Sequence, residues 1–111
     1  MDEKFIEDVL TAVERIPLGQ VASYGDVAEL VGRGGPRQVG QVMSRHGAAV
    51  AWWRVVRADG RPVRGLEAAA WEKLSAEGVP KRGDRVDMAV ARIRQTGLGG
   101  APTRRDEGAT T

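Results

Sequence analysis

Prolines and glycines cut the first half of the chain into three short segments of helical periodicity, and that punctuation constrains the fold more than any other feature. Phe5, Ile6, Val9, Leu10, Val13 and Ile16 recur at the spacing of one helix face. Residues 3–15 therefore read as an amphipathic helix, with Asp2 as its N-cap and Pro17 ending the run. After a connector at 18–22, Ser23 caps a second helix from Tyr24 to Val31, and Asp26 completes a capping-box pattern. Val27, Leu30 and Val31 form its buried side, and Gly32 is placed to end it in the left-handed conformation. Arg33-Gly34-Gly35 then turns the chain into Pro36, a favoured first helical residue. The third helix runs to about His46 and buries Val39, Val42 and Met43. Gly40 in its middle costs about 1 kcal/mol relative to Ala, so it marks a place where a backbone comes close. Two short helices joined by a glycine-containing turn make a helix-turn-helix element.

The second half changes character. Val50 to Arg57 is rich in β-forming residues, Asp59-Gly60 is a turn signal, and Arg61-Pro62-Val63 supplies a short return arm. A small hairpin after a helix-turn-helix is the plan of a winged helix. Leu66 to Ala76 reads as a fourth helix with Leu66, Ala70 and Leu74 on one side, Trp71 covering their edge and Glu77-Gly78 ending it. Val86 to Arg94 reads as a last short helix with Val90 and Ile93 facing inward. From Thr96 the Gly, Pro, Thr, Arg and Asp mixture cannot bury a core and reads as a disordered tail. The expected fold is mainly α with a small β-hairpin, a winged-helix-like helix-turn-helix domain over residues 1–95 and a tail over 96–111. A chain of 111 residues has room for one such domain.

Composition removes several kinds of chemistry. There is no cysteine, hence no disulfide, thiolate metal site or thiol nucleophile. His46 is the only histidine, which rules out a His-based metal cluster and leaves Ser44 without an evident base. No metal and no cofactor are expected. No apolar run approaches the ~20 residues of a membrane span, and Met1-Asp2-Glu3-Lys4 lacks the basic flank of a secretory signal. The expected compartment is the cytoplasm, with nucleoid association if the chain is bacterial, and no membrane partner. The formal charge of +2 says little, but its distribution says more: between Leu30 and Ala58 stand Arg33, Arg37, Arg45, Arg54 and Arg57, with no Asp or Glu. A one-sign block of this kind fits either a solvated basic face or a surface turned to phosphates.

Three segments then carry a resemblance: Ile-Pro-Leu-Gly-Gln-Val-Ala-Ser-Tyr-Gly-Asp-Val-Ala at 16–28, Pro-Arg-Gln-Val-Gly-Gln-Val-Met at 36–43, and Ala-Trp-Trp-Arg-Val-Val at 51–56 followed by Asp59-Gly60. In this order and spacing the chain resembles the DNA-binding domain of the O6-alkylguanine-DNA alkyltransferases, and more closely the alkyltransferase-like proteins that lack the reactive cysteine. In the true alkyltransferases the third segment reads Pro-Cys-His-Arg-Val. Trp52 stands at the place of that cysteine, Trp53 at that of the histidine and Ala51 at that of the proline. Trp in the cysteine's place is common among alkyltransferase-like proteins.

The resemblance implies a protein without enzymatic activity that senses damage in double-stranded DNA containing O6-alkylguanine. It would enter the minor groove through its helix-turn-helix and turn the modified nucleotide out of the stack, an extrusion that costs a few kcal/mol. By resemblance, Arg37 is the finger that fills the vacated position, its planar guanidinium stacking on the neighbouring bases. Tyr24, by resemblance, presses the 3′ phosphate. Trp52, Trp53, Tyr24, Val63 and Arg64 would line the lesion pocket, with Val63, Arg64 and Gly65 corresponding to a shortened lid. Gly34, Gly35, Gln38, Arg33, Arg45, Arg54 and Arg57 complete the expected DNA-binding set, Arg54 being as readily structural. Strand alternation would place Trp53 on the face opposite Trp52. The family hands its lesions to nucleotide excision repair proteins, and the absence of an assembly element suggests a monomer. Two other readings stay open: a general winged-helix DNA-binding protein, and a degenerate module for protein interaction.

Overall fold

The computed structural model describes residues 2–94. The expected tail at 96–111, and with it the end of the expected domain, lies outside them.

The chain begins with α1 (Glu3–Glu14), whose N-cap Asp2 accepts from the Phe5 N–H at 2.6 Å. α2 (Tyr24–Val31) follows with its capping box formed: Ser23 Oγ accepts from the Asp26 N–H and Asp26 accepts from the Ser23 N–H, both at 3.0 Å. Gly32 ends this helix at φ +89°, the left-handed conformation expected of it. α3 (Pro36–His46) starts at its proline. These helices close on a core of Phe5, Val9, Val13, Val27, Val39 and Val42, with Leu30, Val31 and Met43 packed at its edge. The helix-turn-helix is the α2–α3 corner, backed by α1.

Beyond His46 the structure departs from the sequence expectation in three places. Val50 to Val63 forms no β-hairpin. Trp52–Arg54 is a turn of 3-10 helix, and β2 (Val55–Val56) pairs in parallel with β1 (Ala22–Ser23), in register Ala22 to Val55 and Ser23 to Val56. The Asp59-Gly60 turn is present, with Gly60 N–H donating to Arg57 O at 2.8 Å, but its arms share only the Arg57 N–H to Arg61 O bond. Burial explains the change: Val55 and Val56 are both fully enclosed, so the segment serves two cores at once rather than one face of a hairpin. The small hairpin lies later, between β3 (Lys81–Arg82) and β4 (Arg85–Val86), which pair antiparallel.

The second departure concerns α4 (Glu67–Ala76), in which Ala70 and Leu74 are buried as expected while Leu66 precedes the helix and is 50% exposed. The third is the expected helix from Val86. Only α5 (Met88–Ala91) is helical, Val90 is 69% exposed, and Ile93 is buried because the chain runs extended beside Val21, with Ile93 N–H donating to Val21 O at 2.8 Å. A second core of Val21, Val56, Ala70, Leu74, Val79 and Val86 lies under these elements. Among the described residues no helix is long and apolar enough to cross a membrane.

Candidate functional site

α3 presents Gly40, Met43 and Ser44 to one side, and Gly47 just past its end continues that row at the i, i+3, i+4, i+7 spacing of a helix face. Opposite them stand Trp52, from the 3-10 turn, and the loop residues Val63, Arg64 and Leu66. With Tyr24 and Ala48 these enclose a cavity of about 350 Å3, at the small end of the ~300–1,000 Å3 typical of small-molecule sites. Its walls are largely apolar, and Arg64 is the one charged residue of the lining.

Each wall is positioned by a local device. Tyr24 is the first residue of α2, so the Ser23–Asp26 capping box sets its place. Burial pushes its phenol above the ordinary value, the nearby Arg57 charge opposing. Trp52 meets the edge of Trp53 in a T-shaped contact, ring centres 5.8 Å apart and planes at 85°. Trp53 is itself clamped: its indole N–H donates to Glu77 Oε2 at 2.8 Å, and the Arg54 and Lys73 cations lie 5.7 and 4.8 Å from its ring centre. Arg54 donates from Nε and a terminal nitrogen to the Glu77 carboxylate and from the other terminal nitrogen to Ile16 O at 3.0 Å. Burial pushes the Glu77 carboxyl up, but its Arg54, Gly19 and Trp53 donors outweigh this and hold it below the ordinary carboxylate range. The indole that faces the cavity is thus braced by a half-buried ion pair behind it.

Of the expected pocket residues, Tyr24, Trp52, Val63 and Arg64 come together around the cavity, and Trp53 does not line it. Strand alternation is not the reason, since Trp52 and Trp53 sit in a 3-10 turn and touch each other; Trp53 is drawn away by Glu77. The expected DNA-binding residues divide similarly. Arg37 is exposed on the first turn of α3, one turn ahead of Gly40 on the cavity side. Arg45 is exposed near the end of the same helix, and half-buried Arg57 donates to Pro62 O at 3.2 Å. Arg33 is held by α1, donating to Asp8 at 3.0 Å and lying 5.3 Å from the Phe5 ring centre. Gln38 turns back to accept from the Gly35 N–H at 3.0 Å. Arg54 is taken up by Glu77 and Ile16. Gly34 has φ +74° and would bring a Cβ to 2.9 Å from the Phe5 ring, so the turn packs against α1 as only glycine allows. Among the described residues no group of three or more His, Cys, Asp or Glu could hold a metal ion.

Residues 4–79 match the family model of the 6-O-methylguanine DNA methyltransferase DNA-binding domain. The chain belongs to this family, in its alkyltransferase-like branch. Alkyltransferase-like protein 1 of Schizosaccharomyces pombe is 40% identical over 86 residues, which cover 71% of this chain and 79% of that protein. A DNA base-flipping protein of Vibrio parahaemolyticus serotype O3:K6 is 29% identical over 82 residues, 69% of this chain and 82% of the relative. Crystallographic S. pombe Atl1, in complex with damaged DNA containing O6-carboxymethylguanine, matches with a TM-score of 0.72 at 27% identity, covering 85% of this chain and 98% of that one.

Within this alkyltransferase-like fold two features are not among the residues expected from the sequence to line the site: Glu77, the hub behind the tryptophans, and the α3 side of the cavity. The second had a usable signal, because Gly40, Met43, Ser44 and Gly47 share one helical stripe. Glu77 had none, since its partner Arg54 is 23 residues away.

Proposed function

We propose that the chain recognises O6-alkylguanine in duplex DNA by turning the modified nucleotide into the cavity between α3 and the Val63–Leu66 loop. One observation supports this above the others: the cavity gathers Tyr24, Trp52 and Arg64 beside the exposed first turn of α3, where Arg37 has no ion pair to any described residue. In this reading α3 enters the minor groove, whose degenerate pattern suits a protein that scans any sequence. Arg37 fills the stack vacated by the nucleotide, Tyr24 bears on the adjoining phosphate, and Trp52 offers the alkylated base a broad apolar wall. Arg45 and Arg57 add phosphate contacts without sequence information. Arg33, Arg54 and Gln38 are given the supporting task of holding the α2–α3 turn and the tryptophans.

No alkyl transfer follows. With no cysteine in the chain, Ser44 is the cavity's one aliphatic hydroxyl, and no His, Asp or Glu lines the wall beside it to take its proton. The chain binds and marks the lesion as a monomer at the nucleoid or in the cytoplasm and leaves excision to nucleotide excision repair. Relatives named for base flipping and for alkyltransferase likeness, and a structural relative bound to damaged DNA, agree with this reading.

The deciding measurement is equilibrium binding, at stated salt, to matched duplexes carrying guanine or O6-methylguanine, with Arg37→Ala beside the wild type. Tighter binding to the lesion, reduced in the variant by at least about ten-fold, is expected. Equal affinity for both duplexes would leave a general DNA-binding domain, and no binding to either would leave a protein-interaction module.

A further inference from the structure

Several glycines of this fold have internal reasons to be glycine, and the one that lines the cavity from the middle of α3 does not. A Cβ at Gly34 would press on Phe5, and one at Gly60 would stand 2.7 Å from Val86 O. A Cβ at Gly47 would reach Met43 at 3.1 Å. Gly40 is different. It lies mid-helix with no left-handed φ, and a Cβ built on it meets nothing within 4 Å. Helix propensity argues against glycine there, and packing within the chain does not ask for it. The space its missing side chain leaves open belongs to the cavity, which Gly40 lines together with Tyr24 and Trp52.

From this we infer that Gly40 sets the capacity of the pocket and thereby decides how large an O6-substituent it admits. The inference rests on the lesion-binding reading above and adds to it a residue that determines selectivity. At about 350 Å3 the cavity lies at the small end of ligand sites, so the room left beside a purine is set by the side chains of its walls. A side chain at position 40 therefore competes directly with the alkyl group. The opposite walls cannot give way as readily, because Trp52 is fixed against Trp53 and Tyr24 is fixed by the cap of α2. The α3 wall is bare backbone at Gly40 alone among its helical positions.

The test is a pair of substitutions, Gly40→Ala and Gly40→Leu, measured against duplexes with guanine, O6-methylguanine and O6-benzylguanine. Gly40→Ala is expected to melt at or above the wild-type temperature, since nothing in the fold opposes a Cβ there, and Gly40→Leu, whose side chain extends into the cavity, to melt close to it. Gly40→Ala is expected to bind guanine and O6-methylguanine within about three-fold of wild type and to lose about ten-fold or more for O6-benzylguanine. Gly40→Leu is expected to lose the preference for either lesion, its losses on the two lesion duplexes exceeding any loss on undamaged duplex by about ten-fold or more. Equal losses on all three duplexes would overturn the inference and make Gly40 a point of close approach to the DNA backbone. Unchanged discrimination in both variants would overturn it also. A wild type with no preference for either lesion would instead remove the lesion-binding reading itself, and the role of Gly40 with it.

Discussion

The two halves of the molecule cohere by different means. From Asp2 to His46 the chain is three capped helices whose apolar positions repeat at helical spacing and meet in one core. From Val50 to Arg94 the strands are two residues long, the turns are tight, and the parts are fastened by bonds between residues far apart in sequence. Val86 N–H donates to Gly60 O at 2.9 Å, Val21 N–H to Ala91 O at 2.9 Å, and Arg54 grips Glu77. The seam is latched from both sides. Arg92, near the end of the described chain, reaches back to Asp26 in α2 at 2.6 Å, while Arg54 and Glu77 take hold of Ile16 O and Gly19 N–H. The first half is thus specified locally and the second by its partners. The cavity forms where they meet, with Tyr24 and α3 on one side and Trp52 and the 63–66 loop on the other.

Removing the centre of the second core should break this comparison most forcefully. Leu74 is fully buried there, and Leu74→Ala is expected to cost about 2–5 kcal/mol. All three tryptophans, Trp52, Trp53 and Trp71, lie in the second half, so their fluorescence reports it, whereas far-ultraviolet dichroism follows mostly α1 to α3. In urea the fluorescence midpoint of the variant is expected to fall further than the dichroism midpoint. Coincident transitions would mean that the halves unfold as one unit and that their different construction has no energetic consequence.

The same contrast explains what the sequence made legible. In α1, α2 and α3 five of the six boundaries carried their own signal: Asp2, Pro17, Ser23 with Asp26, Gly32, Pro36. Each acts on backbone groups within four residues, so no knowledge of the rest of the fold was needed. Val50 to Val63 carried an equally clear β-signal, and the residues do lie extended at Val55 and Val56, but their partner is Ala22-Ser23 and not the next segment. Propensity reports conformation and not pairing. Trp52 could be placed by the family motif, and Tyr24 by its position in the cap. The diversion of Trp53 to Glu77, and of Arg54 with it, depends on a contact that closes only once α4 is docked.

The Glu77 hub sharpens the comparison by pH. Its carboxyl lies below the ordinary range, so the stability it confers is fully present above about pH 4.5, the unfolded value, and is lost as pH falls through the folded one. Asp26 behaves alike: burial raises its carboxyl, but Arg92 and Ser23 hold it low on balance. Glu77→Gln is expected to cost about 1–3 kcal/mol at neutral pH and to flatten the acid loss seen by fluorescence. An acid profile identical to wild type would show that the carboxylate contributes nothing.

The smallest expected effect lies in the local half. Ser23→Ala removes one half of the capping box at about 1 kcal/mol, and its loss should be seen by dichroism at all pH values above the carboxylate range. A larger loss in fluorescence than in dichroism would place the work of this cap across the seam instead.

The loop over the cavity has its own consequence for descent. Between Pro62 and Glu67 it is tied by Leu66 N–H to Val63 O at 3.2 Å and Gly65 N–H to the Glu67 carboxylate at 2.9 Å, and at its two ends by Arg57 Nε to Pro62 O and the Ala70 N–H to Leu66 O. Doubling the length of such a loop costs about 0.6 kcal/mol, far less than disturbing a capped helix. Lineages of this fold are therefore free to lengthen, shorten or recompose the cover while inheriting the helical corner unchanged. The shape of the cavity's mouth can then drift on a faster clock than the scaffold beneath it.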